Sequence, residues 1–249
     1  MKWYLAAFNA VSAVGWAYVL FLTASALLNE SSYSYLPLRF PWSFTPTAAN
    51  DVSRYLVSLV APYVPPTHSA SWSVLAPVQS LAALEVVHVL LGLVRSPLPT
   101  TVIQVSSRLI LVWGIVARFP STHINPFYTT MLLAWSFTEV IRYSYYVLSL
   151  AGVPVPYWLT WLRYTTFYIL YPVGAGSEAL VMLSTIPEWK HGRYANWSQE
   201  AWAKAAMVLI WIPGLCIMYL HMMQMRNKVL GKGKGQKLGE KPKNRAKAE

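Results

Sequence analysis

Apolar residues along this chain come in long runs, separated by short stretches rich in Pro, Gly and Ser. About 20 apolar residues cross a bilayer. Six runs reach that length: Trp3 to Leu28, Trp72 to Val94, Pro99 to Phe119, Pro126 to Leu150, Val155 to Thr185 and Ala201 to Met225. The longest connection, residues 29–71, is rich in Pro and Ser. Within it Val52 to Val64 is apolar but short, with Asp51 and Arg54 near its start, and reads as an interfacial helix rather than a span. The Arg95-Ser96-Pro97 turn closes the second run and Gly152-Val153-Pro154 closes the fourth. The pattern predicts an all-α fold, a polytopic membrane helical bundle with six transmembrane helices. Residues 1–225 form that membrane domain, and 29–71 are its extended loop. The first run is too long for the core of a cleavable signal and is expected to stay as a helix.

Composition agrees. Hydrophobic residues make up 55% of the 249 positions and charged residues 12%, against about 25% charged in a soluble domain. The 12 Trp and 16 Tyr suit the membrane–water boundary. A single cysteine, Cys216, excludes an intramolecular disulfide, and its apolar neighbours predict a buried, inert thiol.

Charge orients the bundle. The formal net charge is +11, and from Arg226 to Glu249 nine Lys and Arg face two Glu. Such a tail, poor in large apolar residues, is expected to be disordered. The positive-inside rule places it in the cytosol, beside anionic lipid, and no nucleic-acid partner is expected. Six spans then put both termini in the cytosol. In the first and last lumenal loops Arg39 and Arg54 are balanced by Glu30 and Asp51, and Lys190 and Arg193 by Glu188 and Glu200. The sequons at Asn29 and Asn196 fall in the same two loops.

Ionisable residues interrupt the runs: Glu85 and His88, Arg108, Glu139 and Arg142, Arg163 and Glu178. Each charge costs on the order of 3 kcal/mol at mid-membrane on the insertion scale, so such residues pair or serve function. Pairing of Glu85 or Glu139 with Arg108 as inter-helix glue is the plain expectation. Arg95, Arg142 and Arg163 instead fall toward one cytosolic mouth, where guanidiniums suit a phosphate-bearing ligand. Glu85-x-x-His88 has half the spacing of a di-iron site, but no second pair accompanies it, so no metal is expected.

The fifth run carries the most telling chemistry. Tyr171 and Glu178 are seven residues apart, two helical turns, and share a face. A phenol and a carboxylic acid on one wall of a water-poor cavity suit proton transfer. At 31 residues the run would be roughly 46 Å long if helical throughout, so it must tilt, break or protrude. Pro172, Gly174 and Gly176 predict a kink just after Tyr171.

Tyr-Pro-Val-Gly-Ala-Gly-Ser-Glu at 171–178 resembles the Tyr-Pro-x-Gly-x-x-x-Glu signature of the very-long-chain (3R)-3-hydroxyacyl-CoA dehydratases, also called protein-tyrosine-phosphatase-like proteins. Residues 9–16, 94–97, 104–108, 135–143 and 162–164 resemble other family stretches, in the family's order. The resemblance implies a six-span lyase of the endoplasmic reticulum membrane that removes water from a 3-hydroxyacyl-CoA to give a trans-2-enoyl-CoA in fatty-acid elongation. It implies catalytic roles for Tyr171 and Glu178. Arg95, Arg108, Arg142, Arg163 and Gly174 match family motif positions and are expected to bind substrate. The partners implied are acyl-CoA, the lipid bilayer and other enzymes of the elongation cycle, and no cofactor is called for. The first loop is longer than the family's, and His88 has no counterpart in it. Cys216 lacks the preceding His and the spaced Arg of a tyrosine phosphatase, so that activity is not expected. Elimination needs a proton taken from C2 and one given to the C3 hydroxyl; which of Tyr171 and Glu178 does which stays open. The alternative is a non-catalytic membrane scaffold of the same fold, in which both residues merely pack.

Overall fold

Every regular element in the computed structural model is helical; it describes residues 1–28, 51–61, 63–64, 66–187 and 197–231. Both sequon asparagines, most of the first loop and the tail beyond Gly231 lie outside the described residues. The helices are α1 (Lys2–Leu28), α2 (Asp51–Val60), α3 (His68–Leu81), α4 (Ala83–Leu90) and α5 (Leu98–Leu109), the last running into a π-helical stretch, Ile110–Val116. Then follow α6 (Pro126–Ala151), α7 (Tyr157–Thr165), α8 (Phe167–Leu183) and α9 (Gln199–Leu230).

Local chemistry sets the ends of α6. The Asn125 side chain accepts the Phe127 N–H at 2.9 Å, and Pro126 fills the first helical position, where no backbone donor is needed. At the other end Gly152 adopts φ 75°, a left-handed cap that a residue with a Cβ resists. Ser198 caps α9 in the same manner as Asn125, accepting the Ala201 N–H at 3.2 Å.

Among the described residues, four stretches are long and apolar enough to cross a membrane: α1, α3 with α4, α5 with its π extension, and α9. The pair α7–α8, bent by 42°, makes a fifth. The chain is therefore a multi-pass membrane protein. The expected fourth span, α6, is 26 residues long, about 39 Å, but is not among the sufficiently apolar helices. The physical reason is its place. It packs along both α1 and α8, and its Trp135, Ser136, Glu139 and Tyr143 are buried, so protein and not lipid solvates its polar groups.

Two expectations are corrected. The fifth run breaks at Thr166, between α7 and α8, and α8 continues as helix through Pro172. At the break the Thr166 hydroxyl donates to the Leu162 carbonyl at 2.8 Å, a bond that competes with the backbone ladder and bends helices. Cys216 is exposed, not buried. It lies on α9, whose most apolar 18-residue stretch has none of its residues buried inside the protein; Ile212, Ile217 and Leu220 near it are exposed, as on a helix suited to lipid. The core itself sits between α1, α3, the π stretch, α6 and α8, around Trp16, Leu75, Leu111, Met131, Trp135 and Val181.

Candidate active site

One face of α8 lies against α6. Gly174, Ser177, Glu178 and Val181 on it are buried and recur at helical spacing. A Cβ added at Gly174 would stand 3.3 Å from the Ala134 Cβ and 3.9 Å from Trp135 Cδ1. The bare glycine is what lets the two helices approach here. One turn further on, the Ser177 and Thr130 hydroxyls meet at 2.7 Å. At the next position the indole N–H of Trp135 donates to Glu178 Oε1 at 2.6 Å. Glu178 is 9% exposed, so this bond holds a carboxyl group that water hardly reaches.

Tyr171 lies two turns before Glu178 on the same helix. It is half-buried, and its ring stacks beside Tyr219 of α9, with centroids 6.5 Å apart. Its phenol lies within electrostatic range of both the Glu178 carboxyl and the Cys216 thiol. Phenol and carboxyl thus lie on one helix, the phenol beside α9 and the carboxyl against α6. A cleft of about 240 Å³ opens between α1, α6 and α8, lined by Leu20, Leu133, Phe137, Ile169, Leu170 and Val173 among others.

A chain of buried and half-buried charges continues from Glu178 across the bundle. Arg108 of α5 lies within electrostatic range of Glu178, and its guanidinium stands 4.9 Å over the Trp135 ring. Arg108 is ion-paired to Glu139 Oε1. The other Glu139 oxygen accepts from Arg142 Nε at 2.6 Å. Arg142 then grips Glu85 through two bonds, at 3.0 and 2.6 Å, and the Tyr143 hydroxyl donates to the same Glu85. The expected Arg108–Glu139 pair is thus present, and Glu85 has Arg142 as its partner. His88, on α4 with Glu85, is buried and meets the Tyr4 hydroxyl at 2.9 Å.

The three arginines expected at one mouth occupy different settings. Arg95 is exposed, in the turn between α4 and α5. Arg142 is committed to two carboxylates. Arg163 of α7 donates to the Tyr146 hydroxyl at 2.9 Å and stands 4.6 Å over the rings of both Tyr145 and Tyr146. Trp135 was legible in the sequence only as part of a motif. Its spacing of four from Glu139 places both on one helical face, but nothing in the sequence indicates that this face meets α8.

The family described as protein tyrosine phosphatase-like protein, PTPLA, matches residues 79–232. A probable very-long-chain (3R)-3-hydroxyacyl-CoA dehydratase of Schizosaccharomyces pombe is 46% identical over 155 residues, 61% of this chain and 71% of the relative. The very-long-chain (3R)-3-hydroxyacyl-CoA dehydratase PASTICCINO 2A of Oryza sativa is 33% identical over 241 residues, covering 93% and 94% of the two chains. Very-long-chain (3R)-3-hydroxyacyl-CoA dehydratase 2 of Homo sapiens is 33% identical over 175 residues, 66% and 68% of the two. No solved structure matches.

Proposed function

The chain belongs to the protein tyrosine phosphatase-like family, PTPLA, and from that premise we propose that Tyr171 and Glu178 perform the dehydration for which its relatives are named. The protein is a lyase, a very-long-chain (3R)-3-hydroxyacyl-CoA dehydratase of fatty-acid elongation. The observation that carries the mechanism is a buried carboxyl, held by Trp135, within electrostatic range of a half-buried phenol on the same helix.

In this mechanism Glu178, as carboxylate, takes the proton from C2 of the substrate. The thioester carbonyl makes that proton acidic, because enolate charge rests on its oxygen. The electron pair forms the C2–C3 double bond as the C3–O bond breaks. The departing hydroxyl receives the Tyr171 proton and leaves as water. Proton return from Glu178 to Tyr171 restores the starting state. This division of labour requires no phenolate in the resting enzyme. Each positioned group contributes about 10²–10⁴-fold.

The remaining residues support the pair. Arg108 sets positive charge beside Glu178, and Gly174 lets α8 approach α6. Arg142 acts through the ion pairs that lock α4 to α6. Arg95 and Arg163 supply cationic surface for the CoA phosphates, and the apolar cleft beside Leu170 and Val173 takes the start of the acyl chain. We place the enzyme in the endoplasmic reticulum membrane with six spans, counting α6 and the bent pair α7–α8, and with both termini cytosolic. The connection from residue 29 to the start of α3 at His68, which carries α2, is then lumenal, and the tail, from Arg226 by sequence, is basic and cytosolic. Other enzymes of the elongation cycle are its expected physical partners.

Incubation of purified protein with (3R)-3-hydroxyacyl-CoAs of several chain lengths, followed by mass spectrometry, tests the activity. A product lighter by one water supports it. Unchanged substrate at every length, from folded protein, contradicts it.

A further inference from the structure

We propose that Trp135 is a positioning residue for Glu178, fixing through its indole N–H which carboxylate oxygen faces the substrate. The inference rests on the reading of Glu178 as the C2 base. Trp135 is 2% exposed and constrained on several sides. The Arg108 guanidinium stands 4.9 Å over its ring. Trp16 of α1 approaches edge-on, with ring centroids 6.5 Å apart. On the α8 side, Gly174 leaves Cδ1 room that a larger residue would take. Among these contacts the indole Nε1 lies 2.6 Å from Glu178 Oε1.

A carboxylate has two oxygens and rotates readily about its last bond. An anchor on Oε1 sets the plane of the group and leaves Oε2 to meet the substrate. Arg108 is itself held by Glu139, one turn along α6 from Trp135. The orientation of the proposed base is therefore tied to the central helix through a side chain that never meets the reacting atoms. A buried indole N–H needs an acceptor in any case, so the positioning role is separated from packing by kinetics.

The test is a double-mutant cycle on the full-length purified protein, with Trp135→Phe, Glu178→Ala and both together. Trp135→Phe keeps an aromatic ring and removes the donor. It is expected to lower kcat by about 10- to 100-fold, the loss of one buried hydrogen bond to a charged group, while KM stays within about two-fold, since the acid–base pair acts after binding. In the Glu178→Ala background the same change is expected to add no further loss. Where Trp135→Phe does not fold, β-(3-benzothienyl)alanine at position 135 replaces the N–H by sulfur in nearly the same shape and gives the same reading. Full kcat in the folded variant, or an equal loss with and without Glu178, overturns the positioning role. Full activity of Glu178→Ala alone overturns the underlying reading of the base, a separate and distinguishable result.

Discussion

Arg142 of α6 holds Glu85 of α4 through two nearly parallel hydrogen bonds, at 3.0 and 2.6 Å, while its Nε bonds Glu139 at 2.6 Å. One guanidinium thus satisfies carboxylates from two helices. Removing Glu85 leaves Arg108 and Arg142 to share the single carboxylate of Glu139 in a partly buried site, an excess of charge that costs stability. Glu85→Ala is expected to destabilise the folded protein by about 1–2 kcal/mol, read as a lower unfolding midpoint in detergent. Glu85→Gln, which keeps acceptor and shape, should lose less. Equal midpoints for Glu85→Ala and the parent would show that the pair does not brace the bundle.

Gly174 predicts a graded response. Its missing Cβ would meet Ala134 at 3.3 Å, tight for a methyl group and impossible for a longer side chain without moving α8. Gly174→Ala gains up to about 1 kcal/mol of helix propensity, which offsets the contact, so stability should stay near that of the parent. Gly174→Leu overpacks the crossing, at a cost of about 1–3 kcal/mol, and draws Glu178 away from Trp135. Dehydration rate and unfolding midpoint, measured on the same preparations, should therefore both fall for Leu and hardly change for Ala.

Arg95 and Arg142 separate two meanings of an arginine in this family. Arg95 is exposed, whereas Arg142 is bound on both sides by carboxylates. Arg95→Gln is expected to raise KM for acyl-CoA about two- to five-fold, with an unaltered unfolding midpoint and a weaker dependence of KM on salt. Arg142→Gln should lower the midpoint. An unchanged KM for Arg95→Gln would remove it from the phosphate site.

The six-span arrangement makes a topological prediction. In sealed microsomes, tags at the N- and C-termini should both be cleaved by added protease, and a tag inserted at residue 45, in the first loop, should be protected. Protection of one terminus alone would mean an odd number of spans, with α6 or the bent pair failing to cross.

Most of the bundle was legible as runs of apolar residues, because lipid-facing helices such as α1 and α9 must be apolar whatever their neighbours. The limits of that signal are physical. Helix α6 reads as an apolar run, yet its mean hydropathy falls short of a lipid-facing span because neighbouring helices solvate its Glu139 and Arg142. The bend was expected at Pro172, the strongest local breaker, and falls at Thr166, where a hydroxyl competes for a backbone carbonyl. Pro172 remains inside a continuous α8. Cys216 looked buried because apolar neighbours read alike for a core and for a lipid surface. At the site, the shared face of Tyr171 and Glu178 followed from helical periodicity. The bond from Trp135 did not, because it depends on how α6 and α8 cross, and Gly174 governs that crossing at a distance no sequence period records.

The most direct measurement is the dehydration rate of two conservative variants, Tyr171→Phe and Glu178→Gln, in folded protein purified beside the parent. Each keeps the shape of its side chain and removes the proton-transferring group. The account predicts that each alone lowers kcat by about 10²-fold or more, with 3-hydroxyacyl-CoA still bound. Parent-like kcat in either variant would contradict it.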